Sequence, residues 1–175
     1  MHLAELVDVY PTVAALAGLP PPPDLANRRT NEVGTSLMPV FLDPEAKPGA
    51  VKNYAFSEFP QCPGHHPVPG GKPVGGVGNL WHTDMGCQSI FRENIGFFGF
   101  SVRSLEWRYT EWHPWNGSSL TADWDTMTGV ELYDYRTVDM TDFDQFDRVN
   151  VAADSTHAEV VKEMASVLRA HFNNM

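Results

Sequence analysis

A chain of 175 residues, 42% apolar and 11% aromatic, has the material for one sizeable domain or a small domain with a long appendage, and is not a globally disordered protein. With 22 Asp and Glu against 12 Lys and Arg, the formal charge of -10 leaves no basic cluster to track a phosphate backbone, so nucleic acid is excluded as the default partner. No apolar run approaches a membrane span, and the start, carrying Glu5 and Asp8, lacks the regions of a signal peptide; this implies either a cytosolic chain or one whose front end lies elsewhere.

The first element is a short apolar helix. Pro11 has no N–H and biases Tyr10 away from the helical region, so the spacing predicts a turn over Asp8 to Tyr10, Pro11 at the first helical position and an end at Gly18. Leu6, Val9, Val13, Leu16 and Leu19 recur at intervals of three and four and form one apolar stripe that calls for a large neighbour. The prolines at 20–23 are extended, and residues 24–53, polar and turn-rich apart from Leu37 to Leu42, read as connecting loop.

A short strand follows over Tyr54 to Phe59, ended by Pro60. Residues 60–78 hold eleven Pro or Gly in nineteen positions and cannot be regular structure; a loop this long in a compact domain is functional or disordered. The segments 97–103 and 106–113 flank a Ser104-Leu105 turn and predict a hairpin with aromatic bulk on both faces. Residues 129–135 make a fourth strand. After an acidic turn (Asp139, Asp142, Asp144, Asp147), a helix over 156–172 is predicted, opened by a Thr156–Glu159 capping box and lined by Val160, Met164, Val167, Leu168 and Phe172. The expected fold is α+β. It has a small four-stranded antiparallel sheet with the C-terminal helix on one face, preceded by a detached N-terminal helix and long loops.

The order of these pieces carries a resemblance. VDVYPTVAALAGL is similar to the segment that closes the large domain of the sulfatases, and FSEFPQ, SVRSLEWRYTEWH, GVELYDY and VNVA resemble, in the same order, that family's C-terminal subdomain. Within the family the iduronate 2-sulfatase branch is the nearest likeness. The resemblance implies residues 1–53 as the end of the large domain and 54–175 as the C-terminal subdomain. It implies hydrolysis of a sulfate ester, on a uronate-containing glycan, by a formylglycine made from the Cys of a C-x-P/A-x-R signature. A calcium ion held by carboxylates assists, and all of this machinery lies in the large domain ahead of VDVYPT. Cys62-Pro63-Gly64-His65-His66 has its proline in the wrong place and no arginine, so it is not the modification site. The chain is therefore expected to be catalytically silent alone, with no catalytic residue, metal ligand or bound cofactor of its own, its partners being a catalytic sulfatase domain and a sulfated sugar. By resemblance the compartment is lysosomal or secreted. The segment 133–152 departs from the family, where a shorter Asp-Pro turn is expected.

In such sulfatases the C-terminal subdomain rims the active-site mouth, which implies substrate contacts by His65, His66, Lys72, Trp81 and His82, with Arg92 beside them. Cations meet the anionic groups and a ring face stacks on the sugar; the bland alternative is a solvated loop. Cys62, His65, His66, His82 and Cys87 also have ligand types that a structural zinc accepts, though the spacing matches no common module. A Cys62–Cys87 disulfide and two unpaired thiols are the other readings; closing that loop would be worth about 3 kcal/mol. Trp107, Tyr109, Trp112 and Trp115 are expected to be core rather than a sugar platform. Asn116-Gly117-Ser118 is a glycosylation pattern, and the acidic positions 139–147, lacking the order of a calcium loop, read as a solvated turn. Two rival functions remain: a self-standing module that binds acidic glycans through the 60–92 loop, and a truncated product without function.

Overall fold

The computed structural model describes residues 2–20, 34–62, 91–139 and 141–172, the side chain of Phe143 excepted. A five-stranded antiparallel sheet is built from β1 (Ala55–Gln61), β2 (Phe97–Arg103), β3 (Trp107–Asn116), β4 (Thr121–Ala122) and β5 (Gly129–Asp134). The order is β1-β2-β3-β4, and β5 pairs with β3. Among the described residues three helices accompany it: α1 (Val9–Leu16), α2 (Met38–Leu42) and α3 (Ala158–Phe172). This is the α+β class, and the four expected strands are all present. The extra strand is the two-residue β4, which pairs Trp115 with Ala122 and Asn116 with Thr121.

Contacts group the described residues into two units. One takes in residues 1–56, 102–109 and 131–175; the other takes in 57–101 and 110–130.

In the first unit, the N-terminal helix starts earlier than Pro11. A 3-10 turn over Leu6–Asp8 runs directly into α1, which puts Pro11 inside the first helical turn, where its missing N–H costs nothing. The helix ends as expected at Gly18, whose φ of 68° suits a residue without Cβ; Leu19 N–H donates to Ala14 O and Gly18 N–H to Ala15 O, closing the last turn. Residues 37–42 are not simple loop, because Met38–Leu42 forms a helical turn with Pro39 near its start. The segment 34–37 lies on the N-terminal turn so closely that a Cβ on Gly34 would sit 2.0 Å from Val7 O. Two side chains fasten it. The Asp8 carboxylate accepts from Thr35 N–H at 2.7 Å, and the Thr12 hydroxyl accepts from Leu37 N–H at 2.9 Å while donating to Asp8 O.

Asp8 is wholly buried because it is paired. Lys52 Nζ donates to Asp8 at 2.7 Å and to Glu5 Oε2 at 2.5 Å, Glu5 N–H donates to Asp8 at 2.8 Å, and Phe56 N–H donates to Glu5 Oε1 at 2.8 Å. Burial pushes the Asp8 carboxyl up, but the Lys52 hydrogen bond and charge and the two amides outweigh it, so it titrates below its ordinary value. Burial likewise pushes Lys52 down, and its two carboxylate partners carry it above its ordinary value.

The apolar core of this unit gathers Val102, Trp107, Tyr109, Leu132, Met164, Leu168 and Phe172. Helix α3 supplies the last three, and Val160 and Val167 on the same stripe are half-buried. His157 and His171 anchor its two ends against Trp107 and Phe56, the latter ring stacked at 3.7 Å. The start of the helix differs from expectation. A 3-10 turn over Ser155–His157 precedes α3, and Asp154, not Thr156, is the cap, accepting from Thr156 N–H at 2.9 Å and Thr156 Oγ1 at 2.8 Å. The apolar stripe at the other end of the chain stays uncovered, with Leu6 91% and Leu16 60% exposed and Val9, Val13 and Leu19 more than half exposed.

Among the described residues of the second unit, Phe100 and Cys62 are the buried apolar side chains, accompanied by buried Gln61, Ser101, Thr110, Glu111 and His113. Thr110 Oγ1 donates to Ser101 Oγ at 3.0 Å across the β2–β3 pair. Trp112 lies against Gly99, where a Cβ would come within 2.7 Å of its ring.

Two outcomes are expected in denaturant unfolding. Leu168→Ala, at a fully buried position on α3, should cost about 2–5 kcal/mol, whereas Leu16→Ala should change stability by less than about 0.5 kcal/mol. In a pH series, the depressed Asp8 carboxyl contributes stability that is full above the unfolded value of about 3.9 and is lost as pH falls through its folded value. Asp8→Asn should flatten that acid limb.

Candidate functional site

All five expected substrate residues, His65, His66, Lys72, Trp81 and His82, lie outside the described residues, as does Cys87. The structure does describe the root from which that loop leaves. The chain departs after Gln61-Cys62 at the end of β1 and returns at Phe91, ahead of a 3-10 turn over Arg92–Asn94 and then β2.

Several contacts within the second unit fix the root. Gly96 N–H donates to Gln61 O at 3.1 Å, and Trp115 N–H donates to Gly96 O at 3.0 Å, tying the departing strand, the returning chain and β3 in one line. The indole Nε1 of Trp115 donates to Arg92 O at 2.8 Å, so the returning turn hangs on a strand tryptophan. Gly117 approaches the same turn so closely that a Cβ would fall 2.0 Å from Glu93 O. Cys62 is buried and disulfide-bonded. Thus Arg92 is the one expected substrate contact placed by the structure. Its side chain is exposed, and its carbonyl is the structural part.

The aromatic residues of β3 do not form an open platform. Trp107 and Tyr109 are buried, while Trp112 and Trp115 are half-buried, the latter tilted on Phe98 with ring centres 4.6 Å apart. The outer face of Trp107 is also taken, since the Arg136 guanidinium carbon stands 4.4 Å from its ring centre and Arg136 is gripped by both oxygens of Asp134. This pair lies in an open cleft of about 500 Å³ in the first unit, with Tyr54, Glu106 and Glu163 among its walls.

A second open cleft of about 480 Å³ in the same unit is acidic, with Asp134, Asp142 and Asp147 around Tyr133 and Arg148. Asp147 is already engaged, by Arg108 and by the Tyr135 hydroxyl at 2.6 Å. The Tyr133 hydroxyl is pushed up to about 12 by burial and by its bond to Glu131, so it stays protonated at any ordinary pH. Arg103 lies over the Tyr135 ring at 3.5 Å, and burial lowers its pKa from the ordinary value. Asp147 of the acidic turn therefore serves as a structural counter-ion to Arg108. Asn116 caps its own turn, accepting from Ser118 N–H and Ser119 N–H. Among the described residues no group of three or more His, Cys, Asp or Glu could hold a metal ion. In that same set no helix is long and apolar enough to cross a membrane.

Residue reasoning passed over Glu5, Asp8, Thr12 and Lys52, and also the Glu111–His113 pair. The available signal for the first set was VD followed by PT, an acid and a hydroxyl four apart on one helix face.

Reduction offers a test of the root. Breaking the Cys62 disulfide should make the 63–90 segment cleave faster under limited proteolysis while β2 and β3 stay protected, because the backbone ties at Gly96 remain.

No family model matches the chain. It is 26% identical over 172 residues to the iduronate 2-sulfatase of Mus musculus, a match covering 93% of this chain and 27% of that protein. It is 30% identical over 145 residues to the iduronate 2-sulfatase of Homo sapiens, covering 76% of this chain and 23% of that protein. The chain spans about a quarter of the length of these curated relatives.

Proposed function

Since the chain is related to the sulfatase family, we propose that it is the C-terminal subdomain of a sulfatase acting on sulfate esters of a uronate-containing glycan. In this reading it supplies the substrate rim and leaves the chemistry to a catalytic domain. The single observation that carries the reading is the match to the mouse relative, which runs through 93% of this chain yet occupies only 27% of that protein.

The physical support comes from the first unit. A helix bearing Leu6, Val9, Val13 and Leu16 on solvent presents the kind of apolar patch that marks an interaction surface. The Asp8–Lys52–Glu5 cluster holds that helix rigidly, so the patch is preorganised for a partner domain. In the second unit, the tethered root around Gln61, Gly96, Arg92 and Trp115 would hold the base of a loop carrying His65, His66, Lys72, Trp81 and His82 toward an anionic sugar. A sulfatase needs an activated nucleophile and stabilisation of developing charge; formylglycine and calcium would furnish both from the catalytic domain. A lysosomal or secreted setting agrees with the Cys62 disulfide.

The test is hydrolysis by the purified chain, with calcium, of an aryl sulfate and of a 2-sulfated iduronate disaccharide. No turnover above a buffer blank is expected, and turnover of either substrate would overturn the division of labour. Replacing Leu6 and Val13 together by Ser should leave unfolding stability within about 0.5 kcal/mol and abolish dye binding or self-association at the patch. Unchanged association would show that the patch is not an interaction surface.

A further inference from the structure

Asn116 is the last residue of β3 and the first of the triplet Asn116-Gly117-Ser118. No other asparagine of the chain is followed two places on by Ser or Thr. Because Asn116 pairs with Thr121 across β3 and β4, residues 117–120 form the tip of a hairpin, on which Asn116, Ser118 and Ser119 are exposed. Leu120 N–H donates to Asn116 O at 2.8 Å, and Leu120 takes a φ of 56° to bring the chain back. Gly117 lies against the carbonyl of Glu93, so the tip is seated on its own unit.

The Asn116 carboxamide is held in one attitude. Its Oδ1 accepts Ser118 N–H at 3.0 Å and Ser119 N–H at 3.3 Å. A carboxamide has one oxygen and one nitrogen, so turning the oxygen onto the backbone of the tip leaves Nδ2 as the end that meets water. Among the described residues nothing accepts from Nδ2, and a bulky group attached there displaces no protein partner. A second observation is independent of the hairpin. Cys62 is disulfide-bonded, and among the described residues no cysteine is free. Structural disulfides persist in oxidising compartments, and in eukaryotic cells the compartment that forms them also attaches glycans to Asn-x-Ser/Thr.

We propose that Asn116 is a site of N-linked glycosylation, which places a sugar chain on the β3–β4 hairpin. The donor is an oligosaccharide carried on a lipid diphosphate. A bond forms between Nδ2 and the anomeric carbon of the first sugar, the bond from that carbon to the diphosphate oxygen breaks, the electron pair leaves on the diphosphate, and one Nδ2 hydrogen departs as a proton. The Ser118 hydroxyl, exposed on the same tip, is the group that marks the asparagine for transfer. The glycan also gives a hydrophilic cover to a tip where Leu120 is 42% exposed. This inference rests on the secreted or lysosomal setting of the proposed function and on nothing else in it.

The test is made on the full chain, produced in a eukaryotic cell with a secretion leader ahead of it and collected from the lumenal and secreted fractions. Intact mass should show an excess of hexose and N-acetylhexosamine that peptide-N-glycosidase removes, leaving a carboxylate at position 116 in the peptide map. Asn116→Gln and Ser118→Ala should each lose the excess, whereas Ser118→Thr should keep it. Wild-type protein without the excess, or an excess that survives Asn116→Gln, overturns the proposal. Should the variants not fold, the peptide map of the wild type decides alone, and an unmodified Asn116 overturns it. Hydrolysis of a sulfate ester by the chain would sink the division of labour proposed above without touching this site, and a bare Asn116 would do the reverse.

Discussion

The ammonium of Lys52, with Asp8 and Glu5 around it, is the contact on which the N-terminal third depends. A buried carboxylate with no solvent exposure is tolerable only when its oxygens are filled, and here they receive Lys52, Thr35 N–H and Glu5 N–H. The same three residues thereby fix the 3-10 turn, the returning segment 34–37 and, through Glu5 and Phe56 N–H, the first residues of β1. Replacing one partner would strand a charge, so this cluster is held together as a set and gives the N-terminal helix a single orientation. Without it, a helix of eight residues with its apolar stripe in water has little reason to persist.

Sequence alone carried the sheet further than it carried the helix ends. Alternation in 97–103 and 107–113 is a strong local signal, reinforced by Ser104, whose backbone N–H donates to Trp107 O at 2.8 Å in the turn. The strand β3 nevertheless runs on through Pro114 to Asn116, which alternation could not announce, because Pro at that position removes a donor without ending the pairing to β4. Helix starts depend on one side chain choosing among several backbone amides. Asp154 and Thr156 are both good caps, and the winner is the one whose backbone is already extended, with ψ of 118°. The turn over Met38–Leu42 was hidden by Pro39, which reads as a breaker in a string but is at home in a first helical turn.

For the candidate site the sequence offers an expectation only: a segment rich in Pro and Gly reads as loop, its His, Lys and Trp suit anions and sugars, and those residues lie outside the described ones. How its flanks are held could not be read, since the ties are backbone groups of Gln61 and Gly96 and the indole of Trp115, each unremarked in a linear pattern. The buried Glu111 and His113 were equally silent. They alternate with Thr110 and Trp112 as any half-exposed strand would, and the partners of the His113 ring, Asp123, Trp124 and Thr126, come from a later segment of the chain.

The contact between Gln61 and Gly96 also bears on the thermodynamics of a long connection. Because Gly96 N–H donates to Gln61 O at 3.1 Å, β1 and β2 meet as sheet neighbours although a long stretch of sequence separates them. The entropy lost in bringing two such ends together grows only with the logarithm of the length between them, about 0.6 kcal/mol for each doubling, so the pairing of these two strands tolerates a long connection at small cost.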